Sequence, residues 1–345
     1  MLTVEDIESA CDSGQLLDFS RHAIEIPELL LRQTFYPLGF PADIRTNSTE
    51  VLGLARMLWG RFEKKFDTET IHIDVHVAEG GSADCPPAPT YRLTKPLLTA
   101  VADADNFFVS DLEQNKTRMT VSRATEKQKL YLRYFFLEAI VGCHIGWHFT
   151  TPIHAACVAL DGRGVLLLGD SGAGKSSLAF ACARAGWTYV SDDASFLLNG
   201  GRERVVTGNC HQIRLRPTGA DLFPEIGGLE ITPRAAGKPS IELPTASMRH
   251  IACAQTAQVD FVIFLNRRAA GMPELVPYRK EVAQYFMRQL LFGSVESLAN
   301  QYDAIDRLLT AEVLELRYTS LDWAVERLRS LVRGECRYGP NATID

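Results

Sequence analysis

The octapeptide Gly169-Asp170-Ser171-Gly172-Ala173-Gly174-Lys175-Ser176 has the spacing G-x-x-x-x-G-K-S. Residues of these types at that spacing hold phosphate. The glycines let main-chain N–H groups turn inward around phosphate oxygens, where a Cβ would obstruct them. Lys175 reaches the β- and γ-phosphates, and the Ser176 hydroxyl is a ligand for Mg²⁺. A helix starting here, through Ser177, adds the partial positive charge of its N-terminus. The octapeptide predicts a nucleoside-triphosphate site.

A pair of acids, Asp192-Asp193, stands 17 residues beyond Lys175. One carboxylate of such a pair holds Mg²⁺, directly or through water, and the other takes a proton from an incoming hydroxyl. The alternative is a solvated turn. His154 precedes the phosphate loop in a hairpin, and pairing about the turn Asp161–Gly164 sets it opposite Ser171. The competing reading is a satisfied histidine at a strand start. Arg214 and Arg216 alternate on one strand face and either neutralise phosphate or form an exposed basic face. Lys238 lies in a Pro- and Gly-rich stretch, 217–248, that reads as a mobile loop over the site. There it closes onto the γ-phosphate or is an ordinary loop lysine. His72, Asp74 and His76 share a strand face without a fourth metal ligand, so a solvated face is expected. Cys143, His144 and His148 receive the same reading. Tyr131, Tyr134, Phe135 and Phe136 read as helix core.

These groups need elements to position them. The apolar run Val165–Leu168 is a strand feeding the loop, Ser177–Arg184 is a compact helix, and 155–160 pairs with 165–168 as a hairpin. The next strand, 187–191, returns parallel by a right-handed crossover and brings Asp192-Asp193 to the phosphate edge. Further strands are expected at 195–198, 212–215, 260–265 and 313–317, with helices at 280–292 and 321–333. Upstream, helical periodicity over 49–66 and strict alternation over 70–78 precede a strand pair near 106–110 and 118–123. A helix follows from Thr125, capped by Thr125 and Gln128, to about Val141. The chain thus divides into an α+β part, 1–149, without a chemical motif, and an α/β part, 150–345.

With 345 residues there is length for two domains, each with its own core. A net charge of −6 argues against a general nucleic-acid binder. No apolar run approaches bilayer-spanning length and no signal peptide is visible, so no membrane is expected as a partner. The eight cysteines form no CxxC pair, and Cys157 and Cys182 sit in apolar runs. Free thiols in a reducing cytoplasm are the expectation.

His154, the stretch Gly169–Ser177 and Ser191-Asp192-Asp193 resemble the nucleotide site of the bacterial HPr kinase/phosphorylase family. The resemblance covers residues 154–193 and, more loosely, the rest of the second part. It implies a P-loop kinase domain with a mixed sheet, related in fold to phosphoenolpyruvate carboxykinase. It further implies ATP as donor and the hydroxyl of a serine as acceptor. Asp192 is then the base, Asp193 lies near Mg²⁺ and His154 is hydrogen-bonded to the pair, though the two aspartates are exchangeable in these roles. The family also forms hexamers, which raises the expectation of a homo-oligomer.

The departures carry information too. The family's second signature, an acid followed by Ile-Arg-Gly, stands here as Gln212-Ile-Arg-Leu-Arg-Pro217. That segment is associated with phosphorolysis, so forward transfer alone is expected. Nothing in 1–149 resembles the family's N-terminal domain, which points to a diverged relative with another acceptor: a peptide, a carrier protein or a small molecule. Two function classes result. One is an ATP-dependent kinase; the other is a nucleotide-gated binding module with little phosphotransfer. A GTPase is disfavoured, because Asn266-Arg-Arg-Ala269 lacks the carboxylate that reads guanine.

Overall fold

A computed structural model describes residues 4–13, 28–201, 203–233, 238–289 and 291–335. The chain divides into two compact units, Met1–His148 with Pro233–Lys238, and Phe149–Thr232 with Pro239–Asp345. Both are mixtures of helix and mixed sheet, so the molecule is α/β.

In the first unit α1 (Val4–Ser13) precedes β1 (Leu31–Phe35) and β2 (Ala42–Thr46). Helix α2 (Thr49–Trp59) leads to β3 (Ile71–Ala78), and then come β4 (Thr90–Thr94), β5 (Leu97–Asp103), β6 (Asn106–Asp111) and β7 (Lys116–Ser122). The sheet order is β1-β2-β3-β7-β6-β5-β4, with β2, β3 and β7 parallel. Period-two alternation sends Ile71, Ile73 and Val75 into the core and leaves His72, Asp74 and His76 on the other face. The helical stretch after β7 differs from the single capped helix expected. Ser122, not Thr125, is the cap, its hydroxyl accepting from the Thr125 N–H at 3.1 Å. Short turns α3 (Arg123–Glu126) and α4 (Lys129–Tyr131) and a π-helical turn, Leu132–Leu137, lead into α5 (Glu138–His148). Tyr131 and Phe136 are buried, as core aromatics should be.

The second unit opens with β8 (Thr150–Ile153), β9 (Ala156–Leu160) and β10 (Arg163–Leu168), then α6 (Lys175–Arg184), β11 (Thr188–Ser191) and β12 (Ser195–Leu198). It continues through β13 (Val205–Gly208), β14 (Gln212–Leu215), β15 (Ile231–Thr232), β16 (Ser240–Pro244) and the long β17 (Thr256–Arg267). It ends with β18 (Glu274–Pro277), α7 (Lys280–Arg288), α8 (Val295–Leu308), β19 (Glu312–Tyr318) and α9 (Leu321–Arg333). Strands β10, β17 and β19 run parallel; β10 is apolar on both faces, whereas β19 carries Glu315 and Arg317 on one of its faces. Val165 and Leu167 face Leu178 and Phe180 of α6, whereas Leu166 and Leu168 share a core with Ala283, Ile305 and Leu308.

Two expectations change here. The hairpin closes on the two residues Asp161-Gly162, both at positive φ, rather than on four, so Arg163 pairs with Leu160. Every partner moves by two residues, and His154 is not opposite Ser171. Nor is the 217–248 stretch a structureless lid. Its Phe223 and Ile226 are buried, Phe223 packs edge-on against Phe180 with centroids 4.8 Å apart, and β14, β16 and β15 form a small sheet. Apolar residues placed between the prolines gave it a core to fold on.

Candidate active site

The phosphate loop leaves the C-terminal end of β10 and opens α6. Gly169, Gly172 and Gly174 all have positive φ, the backbone that only glycine adopts freely. At Gly174 sterics add to this, because a Cβ would lie 2.7 Å from the Tyr318 hydroxyl oxygen. The Tyr318 hydroxyl donates to the Ala173 carbonyl at 3.2 Å and fixes the loop from β19. Lys175 is 6% exposed, and its ammonium donates to the carbonyls of Gly169 at 2.7 Å and Asp170 at 3.2 Å. Burial lowers its pKa, and the carboxylates of Asp193 and Asp170 pull it back up.

Strand β11 pairs antiparallel with β9, which pairs antiparallel with β10, so β11 runs in the same direction as β10 with β9 between them. Its end therefore lies on the same sheet edge as the loop, and Asp192-Asp193 follows there. The Ser176 hydroxyl donates to the Asp192 carbonyl at 3.1 Å and ties helix to turn. The Ser191 and Ser195 hydroxyls lie 2.6 Å apart, and Ser195 donates to the Ala155 carbonyl at 3.0 Å. Ser195 pairs with Ile153, which brings the next residue, His154, toward the aspartates. Its Nδ1 is 3.7 Å from Asp193 Oδ1, an ion-pair distance.

The two aspartates have different surroundings. Asp192 is 5% exposed, and its Oδ2 accepts the Arg214 main-chain N–H at 2.6 Å. Burial pushes its pKa up to about 6, against the Arg214 N–H, the Arg214 charge and the Tyr189 hydroxyl, which lower it; Asp193 adds to the rise. Asp193 is 43% exposed. One carboxyl is thus a buried group that titrates near neutrality, and the other is open to solvent and cations.

Arg214 joins the site through its main chain, while its guanidinium Nε is 3.3 Å from Glu242. Lys238 is exposed, follows 234–237 outside the described residues, and groups with the first unit. His72 lies 3.7 Å from Asp43, and Asp74 is bonded to Arg45. Buried His144 meets the Thr117 hydroxyl, and His148 meets the Leu112 carbonyl. Among the described residues no three His, Cys, Asp or Glu gather around a common metal position. No helix of the described residues is long and apolar enough to cross a membrane.

Sequence reasoning missed Tyr189, Tyr318 and Glu242. The first two carry a usable signal: Tyr189 lies in a strand that runs in the same direction as β10, and Tyr318 closes β19, which runs parallel to β17. Glu242 carries none, since its strand is recognisable only by its pairing with β14.

No family model matches this chain, and no curated protein matches it. Among solved structures it is similar to the Hpr(Ser) kinase/phosphatase from Coxiella burnetii, at 15% identity over 53% of this chain and 95% of that one, with a TM-score of 0.30. The likeness is distant.

Proposed function

We propose that this chain is an ATP-dependent P-loop kinase of HPr kinase-like type. It transfers the γ-phosphate to a serine or other hydroxyl of a peptide, protein or small-molecule acceptor, without phosphorylase activity. The observation that carries the reading is the buried Asp192, poised near neutrality on the edge where Lys175 and Ser176 open the loop helix.

Asp192 Oδ1 or Oδ2 accepts the proton of the acceptor hydroxyl as its oxygen bonds to the γ-phosphorus; the bond to the β-bridging oxygen breaks and ADP leaves. Lys175 turns from the Gly169 and Asp170 carbonyls to the β- and γ-phosphates, exchanging neutral acceptors for anionic ones. The main-chain N–H groups of residues 170–177 cradle the phosphates at the start of α6. Ser176 and Asp193 form an all-oxygen donor set, and a hard cation with few protein ligands fits it. They would hold Mg²⁺, which supplies charge neutralisation between the β- and γ-phosphates. His154 orients Asp193 from 3.7 Å. Residues 1–149 recruit the acceptor or form an oligomer interface, since they hold no part of this chemistry.

The test uses ATP labelled at the γ-phosphate with serine peptides, carrier proteins and small hydroxyl compounds as acceptors. Transfer by the wild type, lost in Asp192→Asn while ATP affinity stays within several-fold, supports the kinase. An Asp192→Asn chain with intact transfer refutes this mechanism. A chain that transfers nothing but gains a partner on binding ATP is a nucleotide-gated module instead. Lys175→Ala abolishes both behaviours and serves as the control for nucleotide binding.

A further inference from the structure

Strand β10 has two neighbours, and they place different chemistry beside the loop. On one flank lies β9, with β11 and its aspartates beyond. On the other lies β17, parallel to β10, which ends in Asn266-Arg267. Arg267 pairs in register with Tyr318 of β19. Both follow the Leu265 and Leu316 positions that face α6, so both side chains stand on the loop side of the sheet. Tyr318 reaches the Ala173 carbonyl. Arg267 Cδ lies 3.9 Å from the position a Cβ on Gly174 would take, and the Leu265 carbonyl is 3.2 Å from that of Gly169. Arg267 is exposed, and no carboxylate is paired with it among the described residues.

We propose that Arg267 clamps the α- and β-phosphates of the bound nucleotide from the flank opposite Asp192 and Asp193. This rests on the nucleotide reading above and adds a residue to it. The stretch it borders is the glycine main chain that cradles the α- and β-phosphates, whereas the γ-phosphate belongs with Lys175 and the carboxylate flank. With Cδ at this distance the planar guanidinium is within reach of the loop, and its fork fits two phosphate oxygens. Its role is ground-state binding, so di- and triphosphate should feel it equally.

The experiment is calorimetric titration of the full chain with Mg·ADP and with Mg·ATP, for wild type, Arg267→Ala, Arg267→Lys and Lys175→Ala. Arg267→Ala should weaken both nucleotides by about tenfold and by the same factor, with Arg267→Lys between it and wild type. The ligand-free melting temperature should not move, which a merely structural role would shift. Unchanged affinity for both nucleotides overturns the proposal while leaving the kinase reading intact. A loss confined to ATP also overturns it, because the guanidinium then faces the γ-phosphate. A wild type that binds neither nucleotide, and so matches Lys175→Ala, removes both readings.

Discussion

Two buried carboxylates of the first unit, Asp43 and Glu126, are treated in the opposite way to Asp192 of the second. In the first unit Asp43, 3% exposed, takes the Arg32 Nε on both oxygens at 3.0 and 2.9 Å. Buried Glu126 takes Arg123 Nη1 at 2.9 Å and the Ser48 hydroxyl. Both of these acids are matched by a guanidinium, whereas a third buried acid of that unit, Asp111, accepts the Gln114 N–H at 3.0 Å. In the second unit Asp192 is as deeply buried, yet it receives a peptide N–H, while the guanidinium of Arg214 faces Glu242. Withdrawing a charge from water is costly even with the Arg214 charge nearby, and a fold tolerates it where chemistry requires a carboxyl that exchanges its proton near neutral pH. The paired acids hold structure. Under the proposed kinase reading, the one that takes a peptide N–H is the proton acceptor.

Asp192→Asn breaks that comparison most directly. Transfer should fall by about two or more orders of magnitude, because the base is gone while the shape remains. Stability should change in the opposite sense. The folded-state pKa of about 6 stands above the ordinary 3.8, so burial favours the protonated form. Its contribution is fully present below about pH 4 and is lost as pH rises through about 6. At pH 7.5 the ionised side chain therefore costs stability, on the order of 1–3 kcal/mol. Asparagine keeps an acceptor for the Arg214 N–H without the charge. Its melting temperature should exceed the wild type's by a few degrees at pH 7.5 and converge with it near pH 4. A variant that melts lower at both pH values would mean that the carboxylate is structural, like Asp43.

The same proton sharpens the comparison kinetically. For the wild type, kcat/KM should rise with pH as Asp192 ionises, with an inflection near 6, and that limb should vanish in Asp192→Asn. The readout is a pH–rate profile between about 4.5 and 8. A limb that survives in Asp192→Asn would assign the base role to another group.

The second unit was more legible than the first, for a physical reason. Strands buried on both faces are continuous apolar runs, as Val165–Leu168 is between Gly164 and Gly169, and Asp192 closes Thr188–Ser191, so both appear in the sequence where they appear in the fold. Glycine spacing exposed the phosphate loop, whose backbone only glycine adopts without strain. The remaining features depended on distant partners. Strand β16 exists because β14 and β15 pair with it, and β4 and β5 of the first unit lie in a meander whose outer strand is half-exposed. His154 was placed near the right groups by a register two residues off. The true contact comes from Ser195 pairing with Ile153, a relation between segments more than forty residues apart. Arg214 and Tyr189, which lower the Asp192 pKa against its burial, are linked to it by no local pattern.

A smaller effect is expected at the loop's last glycine. Gly174→Ala puts a Cβ 2.7 Å from the Tyr318 hydroxyl at a φ of +96°. Gly186, past the end of α6, has a φ of +89° with nothing within 4 Å of its Cβ position. Both substitutions should lose about 1–3 kcal/mol to backbone strain in thermal melts. Only Gly174→Ala should also weaken ATP, since only there does the loop itself shift. Equal ATP affinity in the two variants would show that the Tyr318 contact does not shape the loop.

The smallest effect belongs to the paired charges of the first unit. Arg45 donates through Nε and Nη2 to both oxygens of Asp74 at 2.7 Å, but its side chain is half exposed. Water and salt screen such a pair, and two long side chains lose freedom to form it. Arg45→Ala should cost less than about 1 kcal/mol in a denaturant melt, and less again at high salt. Asp74 then stands more open to water, with Arg118 its register partner across the β3–β7 ladder, so a neighbouring cation remains in place of the one removed. The sign of the charge effect is what separates the two regions. Removing a charge at the paired site destabilises slightly, whereas removing the one on Asp192 stabilises, and a destabilised Asp192→Asn beside a mildly destabilised Arg45→Ala would erase the distinction.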